Sequence, residues 1–419
     1  MGDDGSCRVL SEKNEKFVLK NHPHSESTEV GGREYVRQYL NQRVNPFKVS
    51  HGKKLTYLDL FCGGGGLSLG VHHALDQFGL DAKLVLASDI DKSALRLIEH
   101  YFKPMAVRSE PIEQLIKYGL DLSGDFKDFT TPPKITDGRI LQFKGKIDLL
   151  VGGPPCQGHS NLNNKTRRHD PRNLLYYVMP AFAIALDIPC LIIENVKSIK
   201  NASENVVLNT KNILESNGYH VREKILNATD FGIAQTRSRH FLIASKIAPP
   251  NIDQVADDLK MPTLSFDDIN DDLPAHEGLP SILTSPAQLS EKNKMRIQHL
   301  HDTGSYNLKN DLRPECHQDG HTYPAVYGRI KPNLPVGTIT TGFSSPGRGR
   351  YIHPREPRMI TIREAARLQS FPDWYFSAAE DLELPKTALY KIIGDAVPPL
   401  LVYPLIVSLW DSFKELKSL

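Results

Sequence analysis

The chain has no uninterrupted apolar run of the roughly 20 residues that a bilayer-spanning helix needs. The longest candidate, residues 398–410, is too short, so no membrane helix is expected. No basic n-region with an apolar h-region follows Met1, and Asp3 and Asp4 stand where a secretory signal carries positive charge. The protein is therefore expected in the cytosol, a nucleoid or a nucleus. Cysteine is scarce: Cys7, Cys62, Cys156, Cys190 and Cys316 are five, scattered without paired spacing, which excludes a disulfide framework and leaves room for a working thiol. Cys316, His317 and His321 lack a complementary ligand pair, so no metal site is expected. An excess of one charge is missing too. A net charge of +2 announces no polyanionic partner, and a basic cleft has to be sought locally.

What remains is an ordinary globular composition, 40% hydrophobic and 24% charged over 419 residues, long enough for one large core and one smaller one. Residues 1–30 are polar without an apolar period and read as a poorly ordered tail. Residues 31–54 carry an amphipathic helix whose Arg33, Arg37 and Arg43 are candidates for DNA contact, although such a run is more often a solvated face. From residue 55 to 260, strands at 55–61, 84–88, 147–151, 190–194 and 240–245 alternate with helical stretches, the pattern of a parallel sheet covered on both faces. Residues 112–143 break that rhythm as an inserted excursion. Eight acidic residues and one lysine fall between Asn251 and Glu277, a face that should repel phosphate. A second, mostly β domain is expected at 261–384, where Gly and Pro punctuate short strands, and 385–419 returns to the first domain.

Residues 58–70 read as a strand running into a glycine turn that opens a helix. Glycines there let a ligand approach the backbone, and the helix N-terminus favours a carboxylate or phosphate. Asp89 and Asp91, at the end of the next strand, stand where a ribose-hydroxyl acceptor belongs in such units. The pair implies a nucleoside-bearing cofactor, an implication shared by dinucleotide enzymes. Residues 147–160 form a second strand and turn, Gly152-Gly153-Pro154-Pro155-Cys156. Its prolines fix φ, and its thiol stands at the carboxyl end of a strand, where open α/β sheets bind ligands. Taken alone, a cysteine after a buried strand is more often a small core residue.

Four further stretches change those odds: Glu194-Asn195-Val196, the segment from Gln235 to Arg239 (QTRSR), the segment from Arg363 to Pro372 (REAARLQSFP), and Gly394-Asp395-Ala396-Val397-Pro398. With the glycine turn and Pro154-Pro155-Cys156-Gln157, these six motifs in this order resemble the C5-cytosine-specific DNA methyltransferases of the bacterial restriction-modification type. The resemblance implies an α/β fold: a Rossmann-like S-adenosylmethionine-dependent methyltransferase sheet with helices on both faces, plus a smaller, mostly β target-recognition domain. It implies methyl transfer from S-adenosyl-L-methionine to C5 of a cytosine flipped out of a specific double-stranded DNA sequence. A monomer in the bacterial cytoplasm, associated with the nucleoid, follows as expectation. A cognate restriction endonuclease acting on the same site is the partner such systems suggest.

The chemistry agrees with that resemblance. C5 of cytosine is a poor nucleophile; a thiolate adding at C6 makes it enamine-like, and a carboxyl group at N3 stabilises the charge that develops in the ring. Cys156 is then the nucleophile, Glu194 the group at N3 and the exocyclic amine, and Arg239 the holder of O2. Arg237 positions the site or a phosphate. Loss of the C5 proton and β-elimination release Cys156.

The resemblance also implies a cofactor lining: Phe61 on the adenine, the backbone of Gly63, Gly64 and Gly65 at the methionine moiety, Asp89 on the ribose, Ala396 and Val397 at the methionine end, with Asp59, Ile90, Ile112 and Pro155 around them. A cytosine must leave the duplex to be reached. A loop over 157–171 with Gln157, Ser160, Lys165, Arg167 and Arg168 is expected to close over the strand, and Gln235, Arg329, Thr338, Arg348 and Arg350 to contact DNA, phosphate contact being the commoner role.

Three positions depart from the family pattern: Asp89 for Glu, Glu110-Pro111-Ile112 for Gly-Asp-Ile, and Asp395 for Asn. Rival readings are a transfer-RNA cytosine methyltransferase, whose added Cys-Phe-Thr element is missing here, and a catalytically silent DNA-binding regulator, which intact Cys156, Glu194 and Arg239 oppose. An amine methylase is disfavoured by Cys156 where an aromatic residue belongs, and a dinucleotide reductase has only the glycine turn in its favour.

Overall fold

The computed structural model describes the backbone of residues 8–12, 15–19, 28–47, 50–121, 128–155, 171–201, 205–273, 281–318 and 325–419, and their side chains from residue 32 onward except 171–173 and 201. Seven strands make the main sheet: β1 (Lys54–Leu60), β2 (Asp81–Ser88), β3 (Ala106–Arg108), β4 (Leu149–Gly152), β5 (Cys190–Val196), β6 (His220–Asn227) and β7 (Ser238–Ser245). Their order is β6-β7-β5-β4-β1-β2-β3. All neighbours are parallel except β7, which runs antiparallel to both β5 and β6. Five of these strands are the expected ones. The other two escape a hydrophobic pattern for physical reasons: β3 has three residues, and β6 is an edge strand whose sequence, HVREKILN, mixes charge with apolar residues.

Alternation along each strand divides the core in two. Leu55 and Tyr57 of β1, Ile192 of β5 and Phe241 of β7 face one cluster, while Leu58, Leu60, Ile193 and Leu242 face the other. The second core is thus the opposite face of the same sheet. The larger cluster runs on through Ile297, Ile339, Phe371 and Leu401, so the region after β7 is packed against the sheet.

That region corrects the expectation of a mostly β domain. The described residues of 261–384 hold helices Phe266–Asn270, Glu291–Asp302 and Ile362–Leu368, several single 3₁₀ turns and one two-residue strand, Val336–Gly337, paired to Gln235–Thr236. Proline and glycine recur too often for long ladders, and arginine side chains take over the satisfaction of loop carbonyls: Arg296 donates to Leu312 O, Arg329 to Leu300 O and Arg350 to Tyr306 O.

The expected tail also differs, since it carries an antiparallel strand pair, Arg8–Glu12 with Glu15–Leu19. The N-terminal helix spans Thr28–Leu40 and buries Val36, Tyr39 and Leu40 in the larger core. Its arginines pair with acidic side chains, exposed Arg33 with Asp268 and half-buried Arg37 with Asp271, and exposed Arg43 beyond the helix lies 4.0 Å from Asp373. Asp268 and Asp271 of the acidic stretch after β7 are therefore counter-charges to this helix, while Asp253 and Asp257 stay exposed. The inserted excursion forms the antiparallel pair Ile116–Leu120 and Phe129–Ile135.

The chain closes on itself at the glycine helix. Helix Gly66–Gln77 is crossed by helix Pro399–Ser408 so closely that a Cβ on Gly70 would stand 2.5 Å from both Pro399 O and Val402 Cβ, and one on Gly66 would stand 2.0 Å from Val397 O. Residues 386–408 are long and apolar enough by composition to cross a membrane, but 89% of that apolar window is buried inside the protein, as befits core helices. Replacing Gly70 by alanine is expected to lower stability by about 1–3 kcal/mol through overpacking. Gly138→Ala, where a Cβ meets nothing within 4 Å, should change it by less than about 0.5 kcal/mol; urea denaturation of both variants measures the difference.

Candidate active site

The register of the sheet assembles the site. Leu60, Ser88, Gly152 and Ile193 sit on one rung across β1, β2, β4 and β5. The residues that emerge next, Phe61, Asp89, Gly153 and Glu194, therefore leave the carboxyl ends side by side. Chain order turns back between β1 and β4, the switch point where open α/β sheets hold ligands.

Glu194 follows the parity of Ile192 onto the larger-core face, and Arg239, opposite Val196 on β7, shares it. Arg239 Nε lies 2.8 Å from Glu194 Oε1, with both groups largely buried. Its Nη1 donates to Ser238 O at 2.9 Å, and among the described residues nothing engages Nη2. Glu194 Oε2 lies 3.1 Å from the position a Cβ on Gly153 would take, so a side chain there would crowd the carboxylate. Asn195, of opposite parity, donates from Nδ2 to Pro154 O at 3.1 Å and ties the Pro154-Pro155 turn to β5. Sequence reasoning passed over Asn195 although it lies inside a recognised motif. Cys156 follows this turn directly; it lies outside the described residues, as do Gln157, Ser160, Lys165, Arg167 and Arg168.

Arg237 is buried and joins two segments of the chain, donating from Nη1 to Ile339 O at 3.1 Å and from Nη2 to Ala396 O at 2.8 Å. That rules out its phosphate role. Gln235, expected at the DNA, is also buried: Nε2 donates to Leu368 O and Gln369 Oε1, and Oε1 accepts from Ile339 N. Arg329 and Arg350 are likewise turned inward. Arg329 stacks 4.7 Å over the Tyr306 ring, and Arg350 donates to Tyr306 O, Arg329 O and Asn307. Thr338 is half-buried, its hydroxyl on Thr236 O at 3.0 Å. Arg348 alone of this group is exposed. A guanidinium or amide that satisfies loop carbonyls is already committed, which sequence spacing does not reveal.

On the cofactor side, Asp89 accepts from Gly63 N on Oδ2 and from Asp91 N on Oδ1, each at 2.8 Å. A carboxylate offers about four acceptor positions, so two remain for hydroxyl donors. Asp91 caps helix Lys92–Phe102 by accepting from Ser93 N and Ala94 N, which leaves Asp89 as the ribose candidate of the two. Phe61 has φ 57°, an uncommon conformation for an aromatic residue, and Ile90 is 74% exposed, an apolar side chain with nothing over it. A Cβ on Gly63 would meet nothing within 4 Å, whereas Gly64 is filled by Ile392 and Gly65 by Tyr375, so of the three glycines only Gly63 opens on free space. Ala396 and Val397 are buried, with Val397 O against Gly66, Ile112 is buried in the smaller core, and Pro155 is half-buried. Glu110, in the departure from Gly-Asp-Ile, is exposed.

Asp59 is fully buried, accepts from Ser68 Oγ at 2.6 Å, and keeps Oδ1 unpaired. Burial, with the neighbouring Asp89 charge adding to it against the Ser68 hydrogen bonds, pushes its pKa up to about 7. A raised folded-state pKa means that the folded protein holds this proton more tightly than the unfolded chain. Stability is then greatest below the unfolded value near 4 and falls as pH rises towards 7, by up to about 4 kcal/mol. Asp59→Asn should flatten that component between pH about 4 and 7, read by urea denaturation across the range.

Comparison with known proteins agrees with this geometry. The sequence profile described as C-5 cytosine-specific DNA methylase matches residues 55–410. Type II methyltransferase M1.BsuMI of Bacillus subtilis is 34% identical over 370 residues, covering 88% of this chain and 83% of its own. Type II methylase M.HgiDII of Herpetosiphon aurantiacus is 30% identical over 359 residues, covering 81% and 91%. A solved prophage-encoded DNA modification methyltransferase from E. coli superposes with a TM-score of 0.54 over 86% of this chain and 99% of its own, at 24% identity, a likeness of fold. With a profile that spans the sheet, the Glu194–Arg239 pair and the returning C-terminal helices, the chain belongs to the C-5 cytosine-specific DNA methylases.

Proposed function

We propose that the protein methylates C5 of a cytosine extruded from double-stranded DNA, taking the methyl group from S-adenosylmethionine and using Cys156 as a covalent nucleophile. The observation that carries the reading is the buried Glu194–Arg239 pair, 2.8 Å apart and pressed against the turn that Cys156 follows. A carboxyl group and a guanidinium held together on one face suit N3 and O2, adjacent atoms on one edge of cytosine. Arg239 orients Glu194 through Nε and keeps Nη2 for the base. Asn195 holds the Pro154 carbonyl, so the turn cannot drift from Glu194 while C6 approaches the thiolate. Once C5 has taken the methyl group, a water or another base at the site takes the C5 proton, and β-elimination frees Cys156.

The residues present fit an adenosyl cofactor: open space at Gly63, two remaining acceptor positions on Asp89, an exposed Ile90 and a half-buried Phe61. Phe61 and Ile90 would bracket the adenine, Asp89 would take the ribose hydroxyls, and Ala396 and Val397 would back the methionine end. When bound, S-adenosylmethionine supplies the electrophilic methyl. DNA contact is assigned to the 157–171 loop, through Gln157, Ser160, Lys165, Arg167 and Arg168, and to exposed Arg348. The named relatives are Type II enzymes, which supports protection of DNA in a restriction-modification system, beside an endonuclease of the same specificity.

Incubation with S-adenosylmethionine and mixed-sequence duplexes containing 5-fluorocytosine should trap a denaturation-resistant adduct, because fluorine cannot leave as a proton does. Cys156→Ala should form none, and Glu194→Gln should slow trapping by about 10²-fold or more. An adduct on RNA alone would move the substrate to RNA. Absence of any adduct on folded, cofactor-binding protein would sink the covalent mechanism.

A further inference from the structure

Asp395 stands where the family pattern has asparagine, and the fold gives it a partner. One turn earlier on helix Lys386–Asp395, Lys391 Nζ lies 3.1 Å from Asp395 Oδ2 and 3.3 Å from Asp91 Oδ2. Asp91 uses Oδ1 to cap helix Lys92–Phe102, and its N–H donates to Asp89, which in turn holds the Gly63 N–H. An unbroken line of polar contacts therefore runs from Asp395 through Lys391, Asp91 and Asp89 to Gly63. It joins the C-terminal segment to the loops after β1 and β2, which carry Gly63 and Asp89.

The inner and outer parts of this junction differ in kind. Inside, Ile392 fills the place of a Gly64 side chain, so the helix is seated by apolar contact. Outside, Lys391 and Asp395 are each 58% exposed, which places the ion pairs on the solvent rim. Burial pulls the Lys391 ammonium down, and the two carboxylates outweigh it, so the group stays charged. Without this cation, the Asp91 and Asp395 carboxylates would be left without the lysine between them, with Asp89 the next carboxylate along the line, and their mutual repulsion would favour an opened rim.

We propose that Lys391, held between Asp91 and Asp395, is a positioning residue that clasps the C-terminal segment to the Asp89 loop across the rim of the cofactor cleft, and so sets how fast the adenosyl cofactor and its demethylated product leave. The inference rests on the S-adenosylmethionine reading above. Pairs this exposed are individually weak, so the effect expected is about two- to fivefold in dissociation rate.

Stopped-flow displacement of S-adenosylmethionine and S-adenosylhomocysteine from the full-length protein tests it. Lys391→Met should release both compounds about two- to fivefold faster at low salt, with the gap closing as salt screens the rim. Lys391→Arg should restore the slow rate. Asp395→Asn should have the smaller effect, since Asp91 still engages the lysine, and combined with Lys391→Met it should add less than its single effect, both changes removing one contact. Equal release from wild type and Lys391→Met at low salt, with unaltered urea midpoints, would overturn the clasp. Wild-type protein that binds neither compound would overturn the cofactor reading, and the clasp with it.

Discussion

The return of the C-terminal segment to the glycine turn depends on two helices meeting where one of them has no side chains. Gly66 and Gly70 present bare backbone to Val397, Pro399 and Val402, and a Cβ at either glycine would stand closer than atoms can. This contact brings the last part of the chain back to the loop after β1, more than three hundred residues earlier in the sequence. Gly394 extends the close fit to the Thr340–Thr341 backbone. One interface therefore positions the C-terminal segment beside the glycine turn and the loop that docks on the Gln235–Arg239 segment. Loss of a single methyl group's clearance there would move both.

Buried arginine is the second organising device. Arg237 spans Ile339 O and Ala396 O, and Arg367 reaches Ile269 O, Asp272, Asp373 and Asn41 from one guanidinium. A planar group with five donors suits junctions where several irregular segments present carbonyls and carboxylates at once. The same economy explains why the acidic stretch after β7 does not stand as a bare negative face. Arg33, Arg37, Arg355 and Arg367 converge on Asp267, Asp268, Asp271 and Asp272 and bind the N-terminal helix to the region beyond the sheet.

The Glu194–Arg239 face needs little more than strand parity and register. Ile193 is level with Gly152, so Glu194 emerges beside the Gly153 turn, and the antiparallel entry of β7 sets Arg239 on the same side. Asn195, one residue on, is thrown to the other face and becomes the anchor of the Pro154 carbonyl. Neighbouring residues in one short motif thus do different work because a strand turns successive side chains to opposite sides.

Much of this was legible in the residues alone. Five of seven main-sheet strands and the glycine turn follow from apolar alternation and turn residues, which are local properties of the chain, and Glu194 and Arg239 were singled out by the family resemblance that their short motifs carry. Short β3 and charged edge strand β6 carry too little of that signal. The fate of individual arginines and of Gln235 is not local at all. Whether a guanidinium meets DNA or its own protein depends on which carbonyls lie within reach after folding, and Arg237, Arg329 and Arg350 were decided by carbonyls over twenty residues away in sequence. The glycines make the same point: their sequence says only that side chains are absent, and only the crossing of the C-terminal helix decides that Gly66 and Gly70 make room for protein while Gly63 leaves space for a ligand.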